Sequence, residues 1–221
     1  MTTVTAPQRS RRRRDWPIIA GLLLLAFVPS VAGGLRVAEL TGGAERTADN
    51  ARFVDMPVPV IIHIIGAVTF AVLGALQLAP GFRARHRRWH RMAGRVLVVC
   101  GLAVAASGLW MTAFYPLPAT DNTALNVFRY IFGTAMFAAL VLGFLAARRR
   151  DFRAHRAWML RGYAIGMGAG TQVLTSVPLF IALDEADPRY TPWRAVALLA
   201  GWLVNLGVAE YVIRSGRRRG R

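Results

Sequence analysis

Lysine is absent from this chain, acidic residues number 11 against 28 arginines, and Cys100 is the only cysteine. A lone cysteine excludes a disulfide or a cysteine-rich metal site within one chain. With no lysine, every basic residue except the four histidines is arginine, a compositional habit to which we attach no function. The shortage of acid leaves a net charge of +17 and a pI near 11.8, values that invite a nucleic-acid reading. The distribution of the charge speaks against it. The arginines sit in short runs beside long apolar blocks, without aromatics spaced for stacking bases.

Apolar residues make up 55% of the chain and charged ones 18%, and the apolar residues come in blocks instead of amphipathic stripes. Six blocks, at about residues 16–35, 56–78, 92–115, 123–147, 158–183 and 193–213, are each long enough to cross a bilayer core of ~30 Å at ~1.5 Å per residue. Only helices satisfy their backbone within one such segment, so the fold class is all-α, a six-span helical bundle in a lipid bilayer. The apolar run after Arg11 to Arg14, with Ser30-Val31-Ala32 behind it, has the outline of a cleaved signal peptide, but it is long for one and is expected to stay as the first span.

Arginine clusters at 9–14, 83–95, 148–161 and 214–221 alternate with loops carrying Glu39, Glu45, Asp49, Asp55, Asp121, Asp184, Glu185 and Asp187. By the positive-inside rule both termini face the cytoplasm of a cell (inner) membrane protein. The expected organisation is a basic cytoplasmic N-terminus over 1–15, a membrane domain over 16–213 and a basic cytoplasmic tail over 214–221.

The chain repeats itself. Phe82-Arg83-Ala84-Arg85-His86-Arg87-Arg88-Trp89 returns as Phe152-Arg153-Ala154-His155-Arg156-Ala157-Trp158, one residue shorter. Upstream, Ile64, Gly66, Phe70, Ala71 and Leu73 align with Ile131, Gly133, Phe137, Ala138 and Leu140. We read a duplicated two-helix hairpin, repeat one over about 57–115 and repeat two over about 124–183, related by a twofold axis along the membrane normal. The four repeat helices form the core, and spans one and six lie on its perimeter.

Helical geometry groups His63 with Phe70, Gly74 and Gln77; His90 with Gly94, Gly101 and Gly108; Arg129 with Gly133 and Gly143; and His155 with Gly162, Gly166 and Gly170. Such faces turn inward, where glycine permits close helix packing or clears space for a flat ligand. His63 and Arg129 each fall inside the bilayer, where an ionisable group is expensive and marks a functional site. In the repeat alignment His63 meets Tyr130, next to Arg129. His86 and His90 are four apart, a chelating spacing, but the surrounding arginines repel a cation and no metal site is expected. A haem b needs two axial imidazoles and welcomes arginine at its propionates, which makes His90 and His155 a candidate pair. A second haem is excluded, because thirteen or fourteen residues beyond these histidines lie Ala103, Val104, Gly168 and Ala169. Asn205 and Gln172 are expected to bond across helices, and Glu210 to offset an arginine.

His63, His90-Arg91-Met92-Ala93-Gly94-Arg95 and His155-Arg156-Ala157-Trp158-Met159-Leu160-Arg161-Gly162-Tyr163 resemble the predicted bacterial membrane proteins grouped as domain of unknown function 2306, over about 57–174. The resemblance implies a multi-span membrane protein without an assigned activity, and it favours His90 over His86 as partner of His155. Three functions compete: a redox or cofactor-holding protein with haem b at His90 and His155 and a quinone or lipid head group near His63 and Arg129; a small transporter or lipid-binding protein; and a structural or assembly protein without ligand.

Overall fold

The computed structural model describes residues 8–43 and 45–218, with side chains over 15–43 and 45–216. Arg9, Arg11 to Arg14, Arg217 to Arg219 and Arg221, from the basic termini, fall outside the described side chains. All regular structure among the described residues is α-helical: α1 Gln8–Thr41, α2 Ala51–Asp55, α3 Pro57–Leu78, α4 Pro80–Arg85, α5 Arg87–Phe114, α6 Thr123–Arg148, α7 Phe152–Gly166, α8 Gly168–Ala182 and α9 Tyr190–Arg218. Asp15–Thr41, Pro57–Leu78, Arg87–Phe114, Thr123–Arg148 and Tyr190–Gly216 are each long and apolar enough to cross a membrane, and α7 with α8 makes a sixth span bent by 46°. The chain is a helical membrane bundle.

Helices α3 and α5 form one hairpin and α6 and α7 another; α5 packs on α6 and α3 on α7, closing a four-helix ring. Its centre is apolar and tight. Phe70 and Leu140 are buried there, and a Cβ on Gly101 would come within 2.6 Å of both side chains. Close approach requires glycine at Gly74, where a Cβ would collide with the Tyr163 ring, itself fixed by a bond from its hydroxyl to the Ala71 carbonyl at 2.8 Å. At Gly170 a Cβ would strike the Leu25 carbonyl, so α1 rides against α8 backbone to backbone.

The bent span, fifth in chain order, breaks at Met167. Gly166, Gly168 and Gly170 alternate there, and glycine lowers helix propensity by about 1 kcal/mol per residue relative to alanine. Beyond the break, α8 leaves the ring and packs on α9 and α1. Thr171 Oγ1 donates to Asn205 Oδ1 (2.7 Å), Gln172 Nε2 to the Leu198 carbonyl (3.0 Å) and Thr175 Oγ1 to the Ala197 carbonyl (2.7 Å). Asn205 and Gln172 thus bond across helices. The straight fifth span expected from the sequence is replaced by two half-spans. Helix α9 packs on α6, α7 and α8.

Each hairpin is joined differently. Between α6 and α7 the chain turns through Arg149 and Arg150, the latter at φ 61°, and Asp151 caps α7 by accepting the Ala154 N–H at 2.9 Å. Between α3 and α5 stands the short helix α4, whose Gly81 N–H donates to Asp15 Oδ1 at 3.0 Å. Asp15 is buried against this joint and belongs with the membrane domain, not with the basic N-terminus assigned to 1–15. The repeated words therefore occupy unlike structure: Phe82 to Arg85 lie in α4, whereas Phe152 to Trp158 open α7.

Candidate functional site

On the side of the acidic loops, where α8 swings away from the ring, a cavity of about 370 Å³ opens. Residues from α2, α3, α5, α6, α7, α8 and α9 line it. Its wall is mostly apolar, with Phe132 and Trp202 stacked at 4.6 Å between ring centroids and 19° between planes. Both outer residues singled out from the sequence, His63 and Arg129, line this one cavity.

His63 turns one edge of its ring toward α5. Its Nδ1 stands 3.0 Å from the Val104 carbonyl oxygen and 3.2 Å from Ser107 Oγ. Ser107 Oγ donates to the Ala103 carbonyl at 2.6 Å, which leaves a lone pair for the imidazole. Gly108 allows the approach, since a Cβ there would lie 3.2 Å from His63 Cε1.

Arg129 reaches back toward the loop. Its Nη1 donates to Asn126 Oδ1 at 3.1 Å, and its Nη2 lies 2.6 Å from Asp121 Oδ2 in an ion pair whose alignment is off that of a hydrogen bond. Arg194 of α9 donates to the other oxygen of Asp121, a carboxylate with no exposed side-chain surface. One buried acid thus ties α6 to α9 beside the cavity. Arg52 enters from α2 and lines the same cavity, its guanidinium 4.6 Å from the Phe53 ring centroid. Burial first, then repulsion by Arg129 and Arg36, holds the Arg52 guanidinium below its ordinary pKa. The wall therefore bears two guanidiniums, Arg52 and Arg129, and one carboxylate that Arg194 shares.

A family profile described as a predicted membrane protein, DUF2306, matches residues 60–213. The chain belongs to the DUF2306 family. No curated protein and no solved structure matches it. The matched stretch runs past the 57–174 of the sequence resemblance and takes in α9, whose Leu198 and Trp202 complete the cavity wall.

Away from the cavity, on the arginine-rich side of this DUF2306 domain, stand His90 and His155. Neither lines the cavity. His155 Nδ1 lies 2.9 Å from the Gly143 carbonyl oxygen, and the His90 carbonyl accepts from Gln77 Nε2 at 3.1 Å. Among the described residues, His90 Nδ1 and Gln77 Oε1 are buried without a partner. The Arg83 guanidinium is held below its ordinary value by burial and by Arg156. His86 is exposed, its ring 4.7 Å from that of Phe82. Glu210 pairs with Arg161 at 2.6 Å, the offset expected of it.

Contacts and burial follow a register unlike the word alignment. Phe70 is 2% exposed but its aligned partner Phe137 is 40% exposed, whereas Met136, one residue earlier, is 3% exposed. Shifted by that one residue, His63 matches Arg129 instead of Tyr130, and Gln77 matches Gly143. Gln77 and Gly143 are the residues that meet His90 and His155.

Sequence reasoning missed Asp121 and Arg52. Asp121 was read only as a loop charge setting topology, although it is the single acid between spans three and four and stands eight residues before Arg129. Arg52 had no comparable signal, because α2 lies in a loop with neither period nor repeat.

Proposed function

We propose that this membrane protein binds a small amphipathic molecule with a flat, oxygen-bearing head, of the quinone type, in the cavity between His63 and Arg129. The observation that carries this reading is the convergence of His63, Arg52 and Arg129 on one cavity of about 370 Å³ whose wall is mostly apolar. Pockets of this size and composition hold small molecules, with a few polar groups fixing orientation. Guanidinium N–H groups not used by Asp121 or Asn126 suit a carbonyl or anionic oxygen. The stacked Phe132 and Trp202 offer a flat apolar surface to a ring.

Isothermal titration of the purified protein with a short-chain benzoquinone and its hydroquinone tests the reading. Binding that weakens by about tenfold or more in Arg129→Gln and Arg52→Gln, with thermal stability reported alongside, is the expected result. Absence of binding by either form ends the proposal.

One observation favours transport as the second reading. The broken fifth span lines the cavity through Gly166 and Ala169, and discontinuous helices are a recurrent way to build a transport site at mid-membrane. Uptake of the same ligand into proteoliposomes separates transport from binding.

A further inference from the structure

His63 has its tautomer set by what faces Nδ1. The Val104 carbonyl at 3.0 Å can only accept, and Ser107 Oγ at 3.2 Å has directed its proton to the Ala103 carbonyl at 2.6 Å, so it too accepts. Nδ1 must carry the hydrogen. A second proton on the ring would place a desolvated charge with no carboxylate contact, on a cavity whose guanidiniums, Arg52 and Arg129, outnumber its one carboxylate, Asp121. The neutral ring then keeps a bare lone pair on Nε2. That atom has no protein partner among the described residues, and it is not sealed inside the protein as His90 Nδ1 is. His63 therefore brings an acceptor to the cavity, while the arginines bring donors.

Resting on the proposed function, we infer that the cavity selects the hydroxyl-bearing, reduced form of a quinone-type ring: a hydroquinone O–H donates to His63 Nε2 and the ring's other oxygen accepts from Arg52 or Arg129. The oxidised ring has two carbonyls and no hydrogen to offer, so its binding leaves Nε2 facing an oxygen lone pair. An acceptor that the bound ligand covers but does not pair weakens binding well beyond the loss of one contact. His63 acts here as a specificity-determining acceptor, positioned by Ser107 and the Val104 carbonyl.

The test uses the full chain in detergent, without oxygen, and four probes of one alkyl length: a hydroquinone, its monomethyl and dimethyl ethers, and the corresponding benzoquinone. The hydroquinone is expected to bind at least tenfold more tightly than the benzoquinone and the dimethyl ether, and His63→Leu is expected to remove that ratio. Nitrogen-15 NMR of the histidine rings, which does not depend on a variant folding, should show protonated Nδ1 and unprotonated Nε2 for His63. Equal or tighter binding of the benzoquinone overturns the inference while leaving the cavity a ligand site, and so does a His63 ring protonated at Nε2. If none of the four probes binds, the proposed function falls and the inference falls with it.

Discussion

Asp121 Oδ2 stands 2.6 Å from Arg129 Nη2, so the charged group placed in the membrane by α6 is answered by a carboxylate that opens the same helix's approach. The acid itself is wholly covered, and its other oxygen is held by Arg194. Taking one member from a buried charge pair leaves an uncompensated charge and costs about 3–5 kcal/mol. Because the two arginines keep roughly a third and a quarter of their side-chain surface exposed, we expect Asp121→Asn to cost about 2–3 kcal/mol. Asp184→Asn, in an exposed turn, should stay within about 0.5 kcal/mol. Thermal unfolding in detergent measures both, and an Asp121→Asn protein as stable as the parent would show that the clamp carries no weight.

Glycine is expected to matter by position. Gly74→Ala drives a methyl into the Tyr163 ring, which cannot swing aside while its hydroxyl is bonded to Ala71; overpacking of this kind costs about 1–3 kcal/mol. Gly21 and Gly207 have no atom within 4 Å of an added Cβ, so alanine there should be neutral or stabilising by up to about 1 kcal/mol. A melting series of the three variants decides it. Equal effects at Gly74 and Gly207 would mean that the ring is looser than its contacts show.

Orientation is the third expectation. With α7 and α8 counted as one span there are six, which returns both ends of the chain to one side. From the arginine bias that side is expected to be the cytoplasm. In a Cys100→Ser background, cysteines introduced at Glu45 and Asp184 should react with a membrane-impermeant maleimide on intact cells, and one at Arg150 only after lysis. Labelling of position 150 on intact cells would reverse the orientation, and labelling of 45 without 184 would mean that the bent pair is a re-entrant loop.

What the sequence disclosed depended on periodicity. Spans, loop charges and the inward course of His63 and Arg129 all have regular spacing behind them. The break at Met167 was written as three alternating glycines, but a stripe of glycines at helical spacing reads equally well as a packing face, and at Gly162 it is one. What separates the two is which neighbour fills the space, Leu140 at Gly162 and Trp202 at Gly168. No local pattern carries that information. The repeat register failed for a related reason: the shared words mark the joint, where one copy forms α4 and the other a single turn, while the equivalent packing positions within the spans share little residue identity.

The last prediction concerns the arginine-rich side, where the register drawn from contacts bears on chemistry. Gln77 and Gly143 occupy matching points of their hairpins, and each meets the histidine that heads the next helix, His90 and His155. The word alignment would have matched His155 with His86, which is exposed and lies against the Phe82 ring at a tilt. His155 gives Nδ1–H to a carbonyl, the arrangement that fixes an imidazole with Nε2 free for a metal. Arg83 on α4 and Arg91, next to His90 on α5, stand on the same side of the bundle. The haem b expected from the sequence at this pair, with two imidazoles for the iron and guanidiniums for the propionates, is open to a direct test. Protein mixed with haem b should therefore show the sharp visible bands of a six-coordinate, low-spin haem, lost in His90→Ala and in His155→Ala but kept in His86→Ala. The His86 variant is the decisive comparison, because loss of the bands there would return the pairing to the word alignment. A spectrum identical to free haem in the parent protein would remove the haem reading and leave the two histidines to packing.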